Sequence, residues 1–128
     1  MNLNQVTVPA RDMAASIAFY ETLGLKLIVR ADHYARFECP NGDATFSLAL
    51  RETPLPPDRE GVHVYFECED LDERVAALKT RGIRFDSGPI DQGWLWREAW
   101  LTDPAGNIIC LYRAGQNRKQ PPWRIETA

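Results

Sequence analysis

Apolar and polar positions along this chain repeat one plan twice. Residues 3–9, LNQVTVP, alternate with period two and read as a strand. Asp12 follows as a helix N-cap, since its carboxylate can accept from the free N–H groups of a first turn. Met13, Ile17 and Tyr20 then recur at helical spacing, flanked by Phe19 and Leu23, and Gly24 supplies a left-handed stop. Residues 25–30 (LKLIVR), 33–39 (HYARFEC) and 43–50 (DATFSLAL) read as three strands, with Pro40-Asn41-Gly42 turning the chain into the last.

The order then returns. Residues 53–60, TPLPPDRE, are proline-rich and polar, which suits a linker rather than a helix or central strand. GVHVYFECE (61–69) is a strand, Asp70 caps LDERVAALKTR, and Gly82 ends that helix. Glu73, three residues after Asp70, completes a capping box with aspartate as the cap. IRFDS, WLWREAWLT, the turn 103–106 and NIICLYR finish the second copy. The spacing between copies grows from 58 residues at Gln5 and His63 to 64 at Gly42 and Gly106. The sequence assigns the six added residues to the loop DSGPIDQG (86–93). Two copies suit a pseudo-two-fold single domain over 1–114, with modules at 3–52 and 61–113 joined by 53–60. The tail 115–128 has no period. Its Pro121-Pro122 pair favours an extended run, and Trp123 suits either a strap over its own domain or a contact with a partner subunit.

Composition narrows the classes. With 128 residues, 45% hydrophobic and 26% charged, the chain fits one globular domain. A net charge of −3 argues against nucleic acid, which calls for a basic face. No apolar run approaches a membrane span, and no charged n-region precedes an apolar stretch. Cys39, Cys68 and Cys110 are odd in number and widely spaced, so reduced thiols in a cytoplasmic protein are expected.

The two βαβββ modules, the phrase FYETLGL and the phrase DPAGNIICLY together resemble the vicinal oxygen chelate superfamily, the glyoxalase, bleomycin-resistance and extradiol dioxygenase group. The resemblance covers about residues 3–113. It implies an α+β fold in which two βαβββ modules form a cupped mixed sheet with helices on the outer face, enclosing a small-molecule site. It also implies pairing within a chain or as a homodimer. In metal-dependent relatives, ligands come from the first and last strands of each module. By spacing those positions here are Gln5, His63 and Cys110, with Phe46 as the fourth, or Thr45 or Ser47 after a one-residue slip. Phe46 cannot ligate, and a thiolate at Cys110 would favour a soft ion such as zinc. That set is thin for a catalytic divalent ion, so no cofactor is favoured, although a divalent metal fits the family.

The same positions tell which strand face looks into the cup, because side chains alternate. His63, Tyr65 and Glu67 face inward, as do Gln5 and Thr7, and Ile108, Cys110 and Tyr112. In strand 94–102 the inward face holds Trp94, Trp96, Glu98 and Trp100, while Arg97 shares the helix side with Leu95, Ala99 and Leu101. By the repeat, Tyr34 and Arg36 join from the first module. Strand 43–50 is ambiguous: the same count turns Phe46, Leu48 and Leu50 inward, yet these are more apolar than Thr45, Ser47 and Ala49, and a bulge or slip would reverse the assignment. Aromatic walls with a few polar groups suit flat rings or cations. Glu98 serves as a charge complement or general base, beside Glu67, and Arg36 as a carboxylate or phosphate binder. The other reading makes the tryptophans core or dimer interface, with Glu98 paired to Arg36 or Arg97. The function expected is a glyoxalase/bleomycin-resistance-like protein that binds a small aromatic or cationic molecule, with or without catalysis. The alternative is a metal-dependent lyase, isomerase or dioxygenase of the same superfamily.

Overall fold

The caps that open and close the first helix form as the sequence predicts. In the computed structural model Asp12 has extended backbone and its Oδ1 accepts from the Ala15 N–H at 3.1 Å, opening helix α1 (Met13–Leu23). Gly24, at φ 110°, closes it. The structure describes residues 1–56 and 61–125. The end of the expected linker, 57–60, and the last tail residues, 126–128, lie outside the described residues.

Around α1 stand β1 (Gln5–Ala10), β2 (Lys26–Arg30), β3 (Tyr34–Glu38) and β4 (Thr45–Leu50), in the order β1-β4-β3-β2. β1 runs parallel to β4, and β3 is antiparallel to both of its neighbours. The second module repeats this with β5 (His63–Glu67), helix α2 (Leu71–Thr80), β6 (Ser87–Asp91), β7 (Arg97–Thr102) and β8 (Ile108–Arg113), in the order β5-β8-β7-β6. One compact unit holds the first module together with Thr102–Asn107, and the other holds Gly61–Leu101 and the chain from Ile108 on. Among the described residues no helix is long and apolar enough to cross a membrane.

In the first unit, Tyr20 of α1 packs on Phe46 and Phe37, with ring centroids 4.5 and 6.0 Å away. Val8, Ala35 and Leu48 complete this buried layer. Phe46 and Leu48 therefore lie under the helix, which overturns their expected inward placement. The cause is the turn before β4. In the first module the Cys39 N–H reaches the Ala44 carbonyl, whereas in the second the Asp103 N–H reaches the Asn107 carbonyl, one residue sooner. The longer first turn shifts β4 by one position, and a one-residue slip exchanges the two faces of a strand. Gln5 stands beside Thr45, as His63 stands beside Ile108, so Ser47 is the counterpart of Cys110.

Three further expectations change. Asp70 makes no side-chain cap bond. Its backbone is not extended, and its carboxylate is drawn to Arg74 one turn on, at 3.2 Å. The strand expected at IRFDS forms later, at Ser87–Asp91, since pairing to β7 starts only with Asp86 N–H to Trp100 O. The added residues thus lie on both sides of β6 rather than in one loop. Finally, β7 begins at Arg97, because Gly93-Trp94-Leu95 form the turn of a hairpin closed by Gln92 N–H to Trp96 O. Leu95 there adopts φ 69°.

Candidate functional site

In the second unit the parity of β5, β7 and β8 gathers the aromatic residues on one sheet face. Tyr65 of β5 neighbours Cys110 of β8, and Glu67 neighbours Tyr112. The Tyr65 ring meets Trp100, Tyr112 and Trp96 edge-on at 5.5, 5.5 and 5.9 Å, while Trp96 stacks on Tyr112 at 4.7 Å. His63 meets Trp100 edge-on at 5.2 Å. Edge-to-face pairs suit rings whose rims are positive and faces negative. Arg97, of opposite parity, turns to the helix side and grips Asp72 of α2 at 2.8 and 3.0 Å, with Asp91 at 3.1 Å. Arg97 is thus not the partner of Glu98.

Glu98 sits at the centre of this face and is 2% exposed. Its Oε2 accepts from the Trp94 indole N–H at 2.8 Å and its Oε1 from the Trp100 indole N–H at 3.0 Å. Trp94 reaches it from the hairpin turn rather than from the strand, so it belongs to the group by contact and not by alternation. The buried carboxylate is therefore satisfied by neutral donors, which offset part of the cost of removing its charge from water. Cys110 lies fully buried in the same cluster, its thiol pointing to the Leu111 carbonyl at 3.6 Å. Burial, with the Glu98 charge second, pushes that thiol up to about 12, so it stays protonated and is a poor ligand or nucleophile at neutral pH.

Glu67 is committed elsewhere. Its Oε2 accepts the Ala114 and Gly115 N–H groups at 2.8 and 2.9 Å, and Arg118 lies 3.8 Å from Oε1. It anchors the short 3₁₀ turn Gly115–Asn117, whose Asn117 carbonyl receives the Trp96 indole N–H at 3.1 Å. The start of the tail is thus a strap on its own unit, while Trp123 stays 56% exposed.

The first unit presents a polar face instead. Gln5 Nε2 donates to Thr7 Oγ1 at 3.0 Å and Ser47 Oγ at 2.9 Å, and its Oε1 accepts from Thr45. Ser47 shares a hydrogen bond of 2.7 Å with the Tyr34 hydroxyl, to which Arg36 Nε also donates at 2.9 Å. The Ser47 bond, followed by that of Arg36, lowers the Tyr34 phenol from its ordinary value. The sequence places Gln5, Tyr34 and Arg36 on this face and counts to Phe46 at the fourth position, with Ser47 as an outcome of a one-residue slip; the slip is what the structure has. The signal was present: in the three other strands read by parity, the more apolar face is the helix side, and Phe46 and Leu48 follow that rule.

These residues do not fit the metal that the resemblance implies. Both ends of the Gln5 amide are engaged by hydroxyls, the Cys110 thiol is buried and protonated, and Ser47 brings only a hydroxyl already bonded to Gln5 and Tyr34. Among the described residues no three His, Cys, Asp or Glu side chains come together as a metal-binding group.

The model of the Glyoxalase/Bleomycin resistance protein/Dioxygenase superfamily matches residues 2–111. The chain belongs to that superfamily. It is 27% identical over 122 residues to the uncharacterized protein YaeR of Escherichia coli (strain K12), covering 86% of this chain and 94% of YaeR. It is 43% identical over 60 residues to a lactoylglutathione lyase of Schizosaccharomyces pombe (strain 972 / ATCC 24843), a match covering 46% of this chain and only 18% of the lyase. Among solved structures, a bleomycin-binding protein complexed with bleomycin superposes with a TM-score of 0.70 at 25% identity, over 88% of this chain and 98% of that one. The superfamily member thus has the α+β fold of paired βαβββ modules that its repeat predicts.

Proposed function

We propose that this superfamily member binds a small aromatic or cationic molecule on the aromatic face of its second module, without catalysing its turnover. The observation that carries this reading is the buried Glu98 carboxylate held between the Trp94 and Trp100 indole N–H groups. Tyr65 and Trp96 supply ring surface around it, backed by the buried Tyr112. A buried negative charge under aromatic faces attracts cations twice, through Coulomb energy and through the ring quadrupoles. At 2% exposure Glu98 works as a fixed charge rather than as a base, which would need an oxygen lone pair open to its substrate. In the first module, Arg36 has terminal guanidinium nitrogens beyond its bond to Tyr34 and is proposed to take a carboxylate or phosphate oxygen. The solved relative bound to bleomycin supports small-molecule binding in this fold.

The rival is a metal-dependent lyase, isomerase or dioxygenase, whose metal would need Gln5, His63 and either Cys110 or Glu98. Two measurements decide. Protein purified without chelator or affinity metal is expected to hold no stoichiometric ion. A stoichiometric ion lost in His63→Ala would establish the rival. Aromatic cations such as N-methylquinolinium are expected to quench tryptophan fluorescence saturably, with affinity about ten-fold weaker in Glu98→Gln. Absence of saturable quenching in the unsubstituted protein would overturn the binding proposal.

A further inference from the structure

We infer that the cation taken by this face is one without N–H donors, a quaternary ammonium or sulfonium group; this rests on the binding reading above. Glu98 offers charge without an accessible hydrogen-bond acceptor. Both of its oxygens are occupied by indole N–H groups at 2.8 and 3.0 Å, and the residue is 2% exposed, so an arriving ammonium finds almost no carboxylate surface. What it does find is ring. Trp94 is 50% and Tyr65 41% exposed, with Trp96 and Trp100 half-buried beside them.

The other acceptors nearby already have partners: Glu67 Oε2 holds the Ala114 and Gly115 N–H groups, its Oε1 faces the Arg118 guanidinium at 3.8 Å, and the Asn117 carbonyl holds the Trp96 indole. A primary ammonium seated here would give up water on three N–H donors and recover few hydrogen bonds, a penalty that a permanent cation with methyl groups avoids. The same contacts improve the rings. An N–H bonded to a carboxylate pushes electron density back into the indole, and this strengthens the negative face that a cation sees. Trp94 and Trp100 are both polarised in this way by one carboxylate.

The test uses the full chain and three benzyl ligands, benzyltrimethylammonium, its neutral isostere neopentylbenzene, and benzylammonium, followed by tryptophan fluorescence and calorimetry. Benzyltrimethylammonium is expected to bind about ten-fold tighter than either of the others. Benzylammonium binding as tightly or more tightly would overturn this inference and leave the cation-binding reading standing. Neopentylbenzene binding as tightly as benzyltrimethylammonium would remove the role of charge from both. No binding by any of the three would overturn both. Trp94→Phe keeps a ring but removes the N–H that occupies Glu98 Oε2. Its preference for the quaternary ligand is expected to narrow several-fold as the primary ammonium gains an acceptor. An unchanged ratio in that variant would sink the hydrogen-bond argument.

Discussion

Tyr34 stands apart from the other three tyrosines of this chain. Its hydroxyl lies on a polar face with Ser47 and Arg36 arranged to favour the phenolate, and the phenol is lowered by the Ser47 bond first and the Arg36 bond second. Tyr20, Tyr65 and Tyr112 are all raised, in each case chiefly by burial. An ultraviolet difference titration is therefore expected to show one phenol ionising below about 10 and three above it. Tyr34→Phe should abolish the early step, and Ser47→Ala should move it upward more than Arg36→Gln. Four phenols titrating together would contradict this assignment. The stability consequence follows in sign. Three phenols whose folded values are raised contribute stability below about 10 that is lost as pH climbs further, and the opposite contribution of the half-buried Tyr34 is the smaller one. At this scale Glu98, Trp96 and Trp100 were legible from alternation alone. The Trp94 bond to Glu98 and the backbone bonds to Glu67 were not, because those donors lie outside the strands that carry the two carboxylates.

At the scale of elements, the hairpin of β6 and β7 decides how well Glu98 is held. Gly88 lies so close to β7 that an added Cβ would stand 2.2 Å from the Glu98 carbonyl oxygen and 2.8 Å from the Ala99 Cα. Its φ of +89° also disfavours any side chain. Gly88→Ala is expected to destabilise the protein by on the order of 2 kcal/mol and to push the Glu98 backbone away from its indole donors. Chemical denaturation reads the first effect, and a weakened response to aromatic cations reads the second; an unchanged denaturation midpoint would contradict the close approach. Nothing in the residue types of 82–93 marks this. The strand there begins where hydrogen bonds to β7 become possible, so its start was misplaced when read from IRFDS. Helix α1, by contrast, carries its boundaries in Asp12 and Gly24, whose effects are local.

For the molecule as a whole, the turn at 103–107 matters more than its DPAGN spelling suggests. Asp103, 4% exposed, accepts from the Tyr20 hydroxyl at 2.5 Å, the Asn107 side-chain amide at 2.7 Å, and the Ala105 and Asn107 N–H groups. Asn107 donates in turn to the Pro9 carbonyl at 2.8 Å. One carboxylate thus joins α1, the end of β1 and a segment remote in sequence. Asp103→Ala strands a buried tyrosine hydroxyl and is expected to cost about 3 kcal/mol in urea denaturation. Tyr20→Phe, which leaves the carboxylate three other donors, is expected to cost less than half of that. Equal costs would mean that the network is not organised around Asp103.

The duplicated pattern at Gln5 and His63 was enough, on its own, to determine the two βαβββ modules, the caps of α1, and the sheet face that carries the aromatic residues. Those features follow from period-two and period-3.6 spacing, which the backbone enforces locally. Three things waited for the tertiary structure: that Ser47 rather than Phe46 faces Gln5, that β6 starts at Ser87, and that Glu98 is enclosed by Trp94 and Trp100. A turn one residue longer reverses a whole strand, and the partner of a buried carboxylate is chosen by proximity in space. The apolar Phe46 and Leu48 point to the first from their own strand, whereas turn length and proximity are read only from the folded chain.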